Sequence, residues 1–182
     1  MTVYASPGTA AARALSVCKA VAGAKMSGAV HVASAYDGDD ALAKVSAVES
    51  SSVPVAVTAQ GAAVAGFATA LRLAASGSSL VPNDALLRAR CDQMIDIAGE
   101  LAAASAAGDT ATVRPLVSRA EIGLVGCATV GGVGATVGDI ALAAALSDAE
   151  KTMSAAGAQP ALMSRTAAYL RGWEATKEWS SA

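Results

Sequence analysis

The stretch Thr136-Val137-Gly138-Asp139-Ile140 most constrains this chain, because it sets a helix-starting box ahead of a long apolar run. A threonine followed three residues later by an acid lets each side chain bond the other's backbone amide, which fixes where a helix begins. Ile140, Leu142, Ala143, Leu146 and Met153 then follow, and their spacing predicts a buried central helix from Thr136 to about Ala155. In the first half Val53-Pro54-Val55 places a proline, in a setting that admits the cis form, before a β-prone segment.

Between these two marks the pattern changes character. Thr2 to Ala5 is β-prone, and Ser6-Pro7-Gly8-Thr9 supplies a turn and a cap for a helix from about Ala10 to Ala24. Ala29 to Ala33 reads as a second strand, followed by a loop with Asp37, Asp39 and Asp40 and a weak helical stretch from Leu42 to Val48. Val55 to Ala59, a turn at Gln60-Gly61 and Ala62 to Val64 make a hairpin, and a helix follows from about Gly66 to Ala75. This β-α-β-α-β-β-α order is thioredoxin-like, with parallel pairing favoured by the crossovers and an antiparallel edge from the hairpin.

Everything beyond reads helical. Residues 76–83, rich in serine and ending near Pro82, form a linker, and Asn83 or Asp84 caps a long helix to Ala104 whose Leu87, Cys91, Met94, Ile95, Ala98 and Leu101 share one face. Ala111 to Val125 is a further helix interrupted or delayed by Pro115, and a last one runs from Ala161 to Trp179. The expected organisation is a thioredoxin-like half over 1–75, a linker over 76–83 and an all-helical half over 84–182. Alanine fills 48 of 182 positions and aromatics only 3%, which suits closely packed helices with small contact residues.

Composition also narrows function. A net charge of −2 gives no electrostatic reason to hold a phosphate backbone, so nucleic acid is not an expected partner. Cys18, Cys91 and Cys127 are widely spaced and odd in number, which reads as a reducing, cytoplasmic compartment with no metal site. No apolar stretch approaches the roughly 20 residues a membrane helix needs. The first 36 residues lack acids and contain Arg13, Lys19 and Lys25, as a transit peptide would, yet a strand and a helix are read there directly.

The ordered spacing of Val3-Tyr4 with Arg13, Val53-Pro54, Asp92-Gln93-Met94-Ile95, and Leu124-Val125-Gly126 ahead of the Thr136 box resembles the glutathione transferase superfamily. The resemblance covers nearly the whole chain. It is nearest to the transferase-like domains of elongation factor 1B gamma and of aminoacyl-tRNA synthetases and their scaffold proteins. Gly138, where the family has alanine, and the run Gly131, Gly132 and Gly134 depart from its pattern.

The resemblance implies a thiol-activating hydroxyl near the first helix, for which Tyr4, Ser6 and Thr9 are the candidates, with Thr9 at the serine position of some relatives. Hydroxyls at such a place also serve as helix caps. It further implies an acid-serine pair opening the third helix to bind the tripeptide, and the aligned pair here is Gly66-Phe67. Two charged groups of the peptide would then lack partners, so classical transferase activity is not expected. Val53 and Pro54 remain as a vestigial ligand-binding turn.

The expected function is therefore a non-catalytic interaction domain without cofactor or metal, assembling components of an aminoacyl-tRNA synthetase or elongation factor 1B complex, with a homodimer also allowed. Phe67, Leu71 and Arg72 with Arg88 mark one face, and Arg165, Tyr169, Arg171 and Trp173 another, since aromatics and arginines are enriched at binding hot spots. The alternative is an active glutathione transferase using Thr9 or Ser6, with glutathione as its cosubstrate. The glycine run from Gly126 to Gly138 lacks phosphate-loop spacing, His31 has no motif partner, and Asp37, Asp39 and Asp40 fit no calcium loop.

Overall fold

The computed structural model describes residues 2–22, 29–32, 54–57, 63–125, 129, 134–158 and 160–180. The helix expected over 42–48, the aspartates at 37–40, Val53, the Gln60-Gly61 turn and Cys127 lie outside the described residues. Strands β1 (Thr2–Ala5), β2 (Ala29–Val32), β3 (Val55–Val57) and β4 (Ala63–Ala65) form one sheet in the order β2-β1-β3-β4. Helix α1 (Ala10–Ala22) connects β1 to β2, and these two strands run parallel with Val3 opposite Val30. The second crossover does not give a parallel pair: β3 enters beside β1 from the opposite end, with Val3 opposite Ala56, and pairs antiparallel with β4 as the hairpin requires.

Helix α2 (Phe67–Ala75) packs on β3, β4 and α1. The helical half consists of α3 (Ala85–Ala106), α4 (Thr110–Gly123), α5 (Val137–Ala155), α6 (Ser164–Glu174) and the short α7 (Lys177–Ser180). α3 begins at the Asp84 cap, whose carboxylate accepts from the Leu87 amide at 2.9 Å. Pro115 sits inside α4 without ending it; Asp109, accepting from the Thr112 amide at 3.1 Å, starts the helix ahead of the proline. The single helix expected over 161–179 is two: Thr176 takes a cap position between them, its hydroxyl donating to the Trp173 carbonyl at 2.8 Å and accepting from the Trp179 amide at 3.3 Å.

The box at Thr136 forms as its sequence requires. The Thr136 amide donates to the Asp139 carboxylate at 2.8 Å and the Asp139 amide to the Thr136 hydroxyl at 3.2 Å. α5 packs against α3, α1, α4 and α6, so it is buried on nearly every side and Ala141, Ala143, Ala144, Ala145 and Ala149 have no exposure. Alanine there lets neighbouring backbones approach, and Gly138 takes this furthest. A Cβ at Gly138 would lie 2.8 Å from the Cys91 carbonyl oxygen, and its amide donates to Cys91 Sγ at 3.2 Å. The departure from alanine at this position is therefore a packing requirement of α5 on α3.

Arg72 and the segment after α2 are among the ties between the sheet-bearing half and the helices. Arg72 of α2 donates to Asp92 at 2.7 Å and to Asp96 at 2.9 Å, acids one turn apart on α3. Residues between α2 and α3 are held by Leu80, fully buried, whose carbonyl accepts from the Val137 amide at 3.0 Å. α6 has no side-chain cap of its own at Met163; the Glu121 carboxylate from α4 supplies one, accepting from the Arg165 amide at 3.0 Å and the Thr166 amide at 2.8 Å.

Two outcomes follow from this packing. Gly138→Ala is expected to lower unfolding free energy by about 1–3 kcal/mol in urea titrations, because main chain rather than a flexible side-chain tip blocks the new methyl. Burial of Glu121 opposes ionisation, but the amides of Thr166 and Arg165, the Thr166 hydroxyl and the Arg165 charge outweigh it and hold the carboxyl below its ordinary 4.5. A depressed folded value means a contribution fully present above the unfolded value and lost as pH falls through the folded one. The melting temperature lost in Glu121→Gln should accordingly be largest near neutral pH and vanish in acid.

Candidate functional site

Register brings three segments together at one end of the sheet. Tyr4 pairs with Val55 and Val55 with Ala65, so the turn after β1, the residue before β3 and the start of α2 are neighbours. The buried Pro54 fixes the junction by accepting from the Gly66 amide at 2.9 Å. Gly66 has φ 107° and ψ 146°, a region that strongly favours glycine.

Thr9 is exposed, and its hydroxyl is committed twice. It donates to the Ser6 carbonyl at 2.7 Å and accepts from the Ala12 amide at 3.2 Å, which is the geometry of an N-cap for α1. The Ser6 hydroxyl has no partner among the described residues. Tyr4 lies on β1, where its backbone pairs with both neighbouring strands. Neither α1 nor α2 carries an acid in its first turn, and α2 begins without a side-chain cap. The site therefore offers a peptide's ammonium group no carboxylate from these helix starts.

Phe67 is half-buried and turns toward α3, its ring passing 3.6 Å from where a Cβ on Gly99 would stand. It packs the two halves together. Leu71 is fully buried in the core, so it presents nothing to a partner. Arg72 is spent on Asp92 and Asp96, whereas the guanidinium of exposed Arg88 donates to the Pro82 carbonyl at 3.1 Å. Arg72, Val81, Pro82, Arg88 and Asp92 line a groove of about 240 Å³.

The residues expected on the second face are also occupied internally. Tyr169 donates to Asp139 Oδ1 at 2.8 Å, and burial, reinforced by that carboxylate, pushes its phenol well above the ordinary value. Arg165 stands 3.5 Å from Glu121, and Arg171 bridges Glu150 and Glu174. Trp173 is half-buried beside a hollow of about 250 Å³ that it shares with Tyr169 and Gly172. Burial, with a smaller contribution from nearby Cys91, pushes the Cys18 thiol up to about 12, so it supplies no thiolate. Among the described residues no cluster of His, Cys, Asp or Glu could hold a metal, and no helix is long and apolar enough to cross a membrane.

Glu121 and the Asp92/Asp96 pair escape a reading by motif. Their signals are an acid following the buried stripe Val113, Leu116, Val117 and Ala120, and two acids four residues apart.

No protein-family model and no curated protein sequence matches the chain. Solved structures do. A sphingomonad glutathione S-transferase complexed with glutathione is 17% identical, with TM-score 0.71 over 100% of this chain and 96% of its own. The beta-class enzyme of Sphingomonas chungbukensis is 19% identical, with TM-score 0.73 and the same coverage. Gtt2 from Saccharomyces cerevisiae is 14% identical, with TM-score 0.72 over 100% and 99%. The chain has the glutathione transferase fold, a thioredoxin-like half followed by a helical half.

Because the Thr9 hydroxyl acts as a cap, Thr9→Ala should cost about 1 kcal/mol of stability, while Thr9→Ser should stay close to the parent in the same urea titration.

Proposed function

We propose that this chain is a non-catalytic, glutathione transferase-like interaction domain that assembles components of the translation machinery. One observation carries the non-catalytic part: the Thr9 hydroxyl is consumed in capping, and the opening of α2 presents Gly66 and an inward-turned Phe67 where a peptide-binding site needs polar groups. The interaction part is supported by exposed apolar side chains near the start of α3 and the end of α4. Leu86 is 78% exposed, Ile122 72% and Val125 54%, and the bond from Arg90 to the Gly123 carbonyl at 2.7 Å brings those two helix ends together. The choice of translation components rests on the sequence resemblance to the elongation factor and synthetase domains.

A second reading, an active glutathione transferase, is favoured by one observation, the Ser6 hydroxyl without a partner among the described residues, on a fold shared with an enzyme solved in complex with glutathione. Immobilised glutathione and a conjugation assay with an aryl halide separate the two. The expected result is flow-through of the protein and a rate equal to the uncatalysed one, with a synthetase or elongation factor subunit captured by the tagged chain. Retention, with activity lost on Ser6→Ala or Thr9→Ala, would establish the second reading.

A further inference from the structure

The hollow of about 250 Å³ beside Trp173 has no charged side chain in its wall. Ala168, Tyr169, Gly172 and Trp173 line it from one face of α6, Thr176 from the turn that follows, and Thr129 from the segment ahead of α5. The residues at the Thr9 turn and at the opening of α2 take no part in it. Gly172 is unlike the other glycines inside the described helices. Gly99 faces the Phe67 ring, and a Cβ at Gly123 or Gly138 would strike Met94 or the Cys91 main chain, whereas a Cβ at Gly172 would meet nothing within 4 Å. Its φ lies outside the left-handed region as well. Neither packing nor backbone geometry calls for a residue that weakens a helix relative to alanine; what its missing side chain preserves is the hollow.

The hydroxyls of the wall differ in the same way. Tyr169 spends its own on Asp139 at 2.8 Å, and Thr176 uses its own on the Trp173 carbonyl and the Trp179 amide. The Thr129 hydroxyl is shut off from water and has no hydrogen-bond partner among the described residues, a costly state for a polar group. We infer that this hollow binds a small, neutral aromatic molecule of one or two rings carrying a single hydrogen-bonding group. The rings of Tyr169 and Trp173 present flat apolar surface, on which an aromatic ring stacks offset or edge-on. A cavity of about 150 Å³ takes up benzene, so this one has room for a second ring. An ion would leave water for a wall without a counter-charge, which selects against charged ligands. A threonine hydroxyl both donates and accepts and turns between staggered positions about its Cα–Cβ bond, so Thr129 serves the ligand's single polar group.

Nitrogen–proton correlation spectra of the full chain, titrated with 2-naphthol, read the site through the indole N–H of Trp173, which a Trp179→Phe chain assigns. That signal should shift and saturate at submillimolar ligand, and charged 2-naphthoate should bind about tenfold more weakly. Gly172→Leu, whose side chain enters open space, should keep the urea midpoint and weaken 2-naphthol about tenfold by filling the hollow. Thr129→Val keeps the shape without the hydroxyl and should weaken it about fivefold. A Trp173 signal that does not saturate, or an affinity left unchanged by either substitution or by the ligand's charge, overturns the inference.

Discussion

The buried carboxylate of Asp139 is the interaction on which the helical half depends. It has no solvent exposure, and both of its oxygens are used: one accepts from the amide and hydroxyl of Thr136, the other from the Tyr169 hydroxyl. A charge taken out of water is tolerable only when every acceptor position finds a donor, and here the helix N-terminus adds its own favourable field. One group thereby fixes where α5 starts and where α6 lies on it. The Val137 amide, bonded to the Leu80 carbonyl, extends the same junction to the segment leading into α3. The aromatic residues that looked like a binding surface are in part the means by which this junction is built.

Around it, the alanine content acquires a structural meaning. A helix buried on nearly all sides cannot carry large side chains everywhere, and α5 alternates large residues such as Ile140, Leu142 and Leu146 with alanines that admit α1 and α3. Gly138 against Cys91 is one such approach. The thiols fit the same picture: Cys91 accepts an amide in the α3–α5 contact and Cys18 is fully buried, so both behave as small packing groups.

Much of this architecture was legible in the chain. The Thr136 box, the Asp84 cap and the order of strands and helices follow from local rules, and the described elements begin and end within a few residues of the expected positions. The direction of β3 is not legible, because either direction can pair on a free strand edge and the strand's own residues do not choose between them. The break at Thr176 is hidden in the sequence because a threonine in a helical pattern also reads as an ordinary surface residue. At the site, the Gly66-Phe67 pair that opens α2 is visible in sequence, whereas the fate of the arginines is not. Arg72, Arg165 and Arg171 look like hot-spot residues until the acids of other helices, Asp92, Glu121 and Glu150, are brought to them by the fold.

The interactions that specify the architecture are intact in this chain, and the Thr9 hydroxyl and the Phe67 ring serve that architecture. One buried cap organises several helices. Amide hydrogen exchange of Asp139→Asn against the parent tests it most directly. Protection should be lost together in α3, α5 and α6, because the replacement leaves the Thr136 and Tyr169 donors poorly matched across a shared junction. Faster exchange confined to the first turn of α5, with α3 and α6 as protected as before, would contradict it.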